Sequence, residues 1–103
     1  MRRLTEEEAI TGARVLFAGP PSAIDVSRSY ASKGQILETG HPGVITAIHG
    51  PGNWHVVVEF VGLEDQSISL GTGFDSSAGE YPGLAAPTDA EWELALKAGW
   101  WAQ

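Results

Sequence analysis

The sequence predicts a single, mainly β domain spanning residues 1–103: a small five-stranded barrel with a short N-terminal helix and a C-terminal helix. Three observations predict it. Thirteen glycines and six prolines require many turns. Two apolar runs, residues 43–48 and 54–60, flank the connection His49-Gly50-Pro51-Gly52-Asn53, the pattern of an antiparallel hairpin. Hydrophobic residues make up 43% of the chain and charged residues 18%, a globular balance in a chain whose core must be small.

The elements follow in order. Thr5-Glu6-Glu7-Glu8 has capping-box spacing, in which the Thr5 hydroxyl bonds the Glu8 amide and the Glu8 carboxylate reaches back. Acids in a first turn also suit the helix dipole, so a short helix is predicted, stopped by Thr11-Gly12. Residues 13–18 read as the first strand, ended by Gly19-Pro20-Pro21. Residues 19–34 read as a long surface loop anchored by Ile24, Val26 and Tyr30, and loops of that length are often functional. Gln35-Ile36-Leu37-Glu38 reads as a short strand before the turn Thr39-Gly40-His41-Pro42.

The hairpin supplies the two central strands. In its second arm Trp54, Val56, Val58 and Phe60 share one wholly apolar face, and His55, Val57, Glu59 and Val61 share the other. Residues 66–70 alternate polar and apolar, a fifth strand with Ile68 and Leu70 inward. Residues 71–87 read as a second irregular segment, pinned by Tyr81-Pro82 and Leu84. Thr88-Asp89-Ala90-Glu91 is another capping box, starting a helix that runs to about Ala98 before the Gly99 stop. Trp92, Ala95 and Leu96 form its apolar stripe, while Leu94 and Ala98 lie almost opposite, so the helix has two non-polar sides.

Charge and composition narrow the partners. The formal net charge is -7, and the basic residues Arg2, Arg3, Arg14, Arg28, Lys33 and Lys97 are scattered apart from the Arg2-Arg3 pair. No basic stripe tracks a phosphate backbone, so neither nucleic acid nor an anionic membrane surface is expected as a partner. The absence of cysteine removes disulfides, thiolate chemistry and cysteine-based zinc sites, and fits a reducing cytoplasm. The charged opening Met1-Arg2-Arg3 has no apolar stretch after it, and no apolar run approaches a membrane span, so a cytoplasmic protein is expected.

Gly43-x-Ile45-x-x-Ile48, a turn, then Val56-x-Val58-x-Phe60 resembles the central hairpin of SH3-like barrels, a group that includes KOW-type modules and small accessory subunits of larger enzymes. Gly12-Ala13-Arg14-Val15 resembles the G-x-R-V first strand common among them, and the likeness covers roughly residues 12–70. It implies the barrel and no activity, since fold does not imply function. The departures are specific. RNA-binding KOW modules are usually basic, and this chain is acidic. Peptide-binding SH3 domains carry an ALYDY-like stretch and a Trp-Trp pair after the long loop; here the pair is Trp100-Trp101 and no ALYDY equivalent is visible. Type II dihydrofolate reductases build a tetramer pore around a Gln-Ile-Tyr triplet, which Gln66-Ser67-Ile68-Ser69 does not match.

Reactive groups are sparse. His49 and His55 flank the hairpin turn and Glu59 follows on the face of His55, so a His/His/carboxylate metal site is one reading and ordinary surface histidines the other. Asp75-Ser76-Ser77 lacks a nucleophile elbow, and Gly71-Thr72-Gly73 lacks the rest of a phosphate-binding fingerprint. No catalytic residue and no cofactor is assigned. Four tryptophans carry more weight. Trp54 reads as core and Trp92 as the residue packing its helix on the barrel, while Trp100 and Trp101 either fold back onto the barrel or form a contact for another chain. A binding surface is expected from Tyr30, Tyr81, Trp92, Trp100 and Trp101. The expectation is a binding or assembly module whose partner is a protein, a basic one or a second copy of itself. One alternative is a small-ligand binder or enzyme with an interfacial pocket lined by His49, His55 or Glu59. Another is an acidic inhibitor of the kind encoded by phages and mobile elements.

Overall fold

The computed structural model describes residues 2–18, 38–49, 55–62, 68–70, 77 and 79–99. Their strands are β1 (Arg2–Thr5), β2 (Arg14–Phe17), β3 (Pro42–His49), β4 (His55–Phe60), β5 (Ile68–Leu70) and β6 (Glu80–Ala86), followed by helix α1 (Asp89–Ala98). All pair antiparallel in one sheet, in the order β1-β6-β2-β3-β4-β5. Side chains from β1, β2, β3, β4 and β6 converge in one interior cluster, so the sheet curls around them as a half-barrel. Its strand-rich, antiparallel build is compatible with an SH3-like barrel.

The hairpin forms where the alternation placed it. Val56, Val58 and Phe60 are fully buried, while Val57 and Glu59 are half-buried on the other face. The three-residue step from Ile45 to Ile48 breaks strict alternation, and the register explains it. Ile45 pairs with Val58 and Ala47 with Val57, leaving Thr46 as the bulged residue. The extra residue shifts the phase of β3, so Ile45 and Ile48 both reach the interior cluster. The Thr46 hydroxyl donates to the Val57 carbonyl at the bulge (3.3 Å). Opposite Phe60 the backbones close tightly. A Cβ on Gly43 would stand 2.7 Å from Val58 Cγ1 and 2.8 Å from Phe60 Cδ1, which only glycine avoids.

The first strand and the last helix also follow the sequence. Val15 and Phe17 of β2 point into the curl, and Leu16 faces outward onto α1 with Ala85 and Trp92. Thr88 caps α1: its side chain accepts from the Glu91 amide (3.1 Å), and the Glu91 carboxylate accepts from the Thr88 amide (2.9 Å). Gly99 closes the helix in the left-handed region at φ 62°. Trp92, Ala95 and Leu96 seat the helix on the outer face of the sheet.

Two expectations are corrected. There are six strands among the described residues rather than five, and no N-terminal helix forms among residues 2–12. Arg2–Thr5 pairs with β6 instead, burying Leu4. The capping chemistry survives inside a single turn: the Glu8 carboxylate accepts from the Thr5 amide (3.0 Å) and hydroxyl (2.9 Å). The Glu8 and Ala9 amides both donate to the Thr5 carbonyl, and the helix goes no further: a separate turn, closed by the Ala13 amide on the Ile10 carbonyl (3.0 Å) with Gly12 at φ 91°, leads into β2. Residues 35–37 of the expected short strand lie outside the described residues, and Glu38 is not in a strand.

A third correction is β6, within the stretch expected to be irregular. Pro82 and Gly83 argue against a strand, yet the β1 register steps from Arg3↔Ala85 to Leu4↔Tyr81, so residues 82–84 bulge away from β1. A proline there removes no ladder donor on that side. β2 pairs across the other edge, with Leu16↔Ala85 and Phe17↔Leu84. Leu84 and Ala86 face the interior and Ala85 faces α1, so three successive apolar residues are buried and alternation disappears.

Candidate functional site

The residues proposed from sequence for a binding surface separate into two groups. Tyr81 is not on the surface: β6 carries it into the interior cluster at 1% exposure. Burial pushes its phenol above the ordinary range, with the Glu6 carboxylate adding to the effect. Trp92 is 7% exposed and fills the gap between α1, Leu16 and Ala85. The Arg14 guanidinium lies over its ring, 5.3 Å from the centroid, and Arg14 Nη1 stands 4.0 Å from Asp89 Oδ1. Both aromatics therefore serve packing. Tyr30, Trp100 and Trp101 lie outside the described residues, as does Trp54.

His49 and His55 are direct register partners across the hairpin, as their flanking positions implied, and Glu59 pairs with Val44 further along β4. The two histidine side chains lie outside what is described. Among the described residues no group of three His, Asp or Glu side chains is placed to hold a metal. No helix among them is long and apolar enough to cross a membrane.

The histidine that sequence reasoning passed over is His41. It is 2% exposed, its Nε2 donates to the Val61 carbonyl (2.9 Å), and its ring meets Phe60 edge-on at 5.3 Å. The carbonyl can only accept, so the proton sits on Nε2. The Val61 amide donates in turn to the Pro42 carbonyl (2.9 Å), and the two bonds tie the start of β3 to the end of β4. Nothing in the sequence marks this role except the position of His41 just ahead of the buried pair Pro42-Gly43.

A charged cluster closes the N-terminal end. Arg2 grips Glu8 with both guanidinium nitrogens, Nη1 to Oε1 at 2.7 Å and Nη2 to Oε2 at 2.6 Å. The Arg2 bond, then the Thr5 amide, pushes the Glu8 carboxyl down to about 2. Arg2 is 63% exposed, so this is a surface clamp on the β1 turn.

Among the described residues, the outward side of α1 has no packing role. Ala90, Glu93, Leu94, Lys97 and Ala98 are all exposed there, Leu94 at 68%. Ile10, at 61%, is the other large apolar side chain exposed among the described residues, in the connection from β1 to β2. The sequence anticipated this second side of the helix, and the structure places it facing solvent. No family model matches the chain, and no curated protein or solved structure matches it either.

Proposed function

We propose that this protein is a small assembly module of SH3-like build that works through protein–protein contacts. One observation carries the reading: α1 spends one side seating Trp92, Ala95 and Leu96 on the sheet while its other side holds Leu94 out at 68% exposure. A helix anchored on one side, with Ala90, Leu94 and Ala98 in line between charged neighbours on the other, is a rigid platform for a partner. The net charge of -7 favours a basic protein or a contact with local charge matching. Trp100 and Trp101 follow directly after the Gly99 cap in sequence.

The test pairs two measurements. Sedimentation velocity, alone and with basic proteins, is expected to show association that weakens when Trp100 and Trp101 are changed to Ala. A thermal-shift screen with nucleotides, folates and divalent ions is expected to show no saturable shift. A saturable shift with no association in any mixture replaces this reading with that of a small-ligand binder.

A further inference from the structure

Resting on that reading, we infer that the outer face of α1 docks a second copy of this chain, helix against antiparallel helix, around a two-fold axis at Leu94. Ala90, Leu94 and Ala98 are spaced four apart on one side of the helix, and all are exposed. At about 1.5 Å per residue they span about 12 Å, a little over two turns. Leu94 is the midpoint. A two-fold axis through it sets Leu94 against the partner's Leu94, and Ala90 against the partner's Ala98. Small side chains at both ends permit the close axis separation of about 8–10 Å at which helices interlock.

Charge selects a second copy over another occupant. Glu93 and Lys97 lie on the same flank of the Leu94 stripe, both exposed, and neither forms an ion pair among the described residues. An antiparallel two-fold brings like flanks together. Glu93 then meets the partner's Lys97, and Lys97 the partner's Glu93, about 3 Å apart along the axis; the two Glu93 side chains share that offset but stand further from the seam, about 100° round the helix from Leu94 against about 60° for Lys97. A basic partner would find instead one of the chain's six basic residues in the middle of its footprint. The antiparallel arrangement also opposes the two helix dipoles favourably, with the acidic first turn (Asp89, Glu91) near the partner's Lys97 end. One helix face is smaller than a standard interface, and the charge of -7 on each copy resists approach, so the dimer is weak and concentration-dependent.

Sedimentation of the full chain from about 10 μM to about 1 mM covers that regime. Wild type is expected to move from monomer toward dimer. Leu94→Glu is expected to weaken association by more than about tenfold. Glu93→Lys and Lys97→Glu are each expected to stay monomeric alone, and to associate when mixed in equal amounts. The double variant Glu93→Lys/Lys97→Glu restores self-association. All three substituted positions are exposed, and unchanged thermal melts confirm that folding is intact. A monomer across the whole range overturns the inference, as does a dimer indifferent to Leu94→Glu or a mixture that fails to associate. If the chain stays monomeric yet binds a basic protein, the dimer is refuted while the assembly reading stands. A ligand shift with no protein association refutes both.

Discussion

Changing Trp92 to Ala separates a packing tryptophan from a binding one. A buried aromatic of this size removes about 150–250 Å² from water, and Trp→Ala changes in cores cost about 3–5 kcal/mol. Trp92 is 7% exposed and wedged against Leu16 and Ala85, so it belongs in that range. Loss of the Arg14 stack over the ring adds about 0.5–1 kcal/mol. A domain of 103 residues is stabilised by about 5–15 kcal/mol in total, so the variant should lose a large share of its stability. Urea unfolding followed by circular dichroism measures it, as a lowered midpoint at unchanged slope. Leu94→Ala, at an exposed site on the same helix, should stay within about 0.5 kcal/mol of wild type. Should the Trp92 variant be too unstable to titrate, Leu16→Ala reads the other side of the same contact, with an expected loss of about 2–5 kcal/mol. A Trp92→Ala protein as stable as wild type would mean that α1 does not rest on the sheet through this residue.

Three further outcomes are expected. Gly43→Ala places a methyl 2.7 Å from Val58 Cγ1, and should lower stability by about 1–3 kcal/mol in the same urea titration. Thr88→Ala removes the α1 cap and should cost about 1 kcal/mol, with Thr88→Ser retaining most of it. The Glu8 carboxyl, held down to about 2 by Arg2, contributes stability that is complete above the ordinary carboxylate range and fades as pH falls through about 2. The Thr88 amide lowers Glu91 in the same sense. Melting temperature should therefore drop between about pH 4.5 and pH 2, and Glu8→Gln should flatten part of that slope.

What could be read from the chain depended on whether each signal was local. The hairpin was legible because Val56, Val58 and Phe60 alternate with half-buried partners, and a period of two means a strand. The α1 cap was legible because Thr88 and Glu91 satisfy each other without help from the rest of the fold. Thr5 and Glu8 carry the same local signature, yet β6 claims Arg2–Thr5 first and leaves the box only one turn to cap. β6 was illegible for two reasons: its proline lies in a bulge that only the β1 register reveals, and its Leu84-Ala85-Ala86 run is buried on both faces. Tyr81 was read both as a pin onto the barrel and as part of the binding surface, and β6 carries it into the core, so the first of these holds and the second does not. Of the candidate surface, the outward position of Leu94 and Ala98 was readable from helical spacing alone. The burial of His41 was not, because it depends on a carbonyl twenty residues away.

Because α1 and the face it displays rest on β2 and β6, the pairing of Glu80–Ala86 is the decisive structural fact. Cross-strand nuclear Overhauser contacts in an isotopically labelled sample read it directly. Backbone contacts between Leu16 and Ala85, and between Leu4 and Tyr81, with slowed amide exchange along Glu80–Ala86, are the expected result. Fast exchange through Glu80–Ala86 and no contact with Leu4 or Leu16 would contradict the six-stranded sheet and everything placed on it.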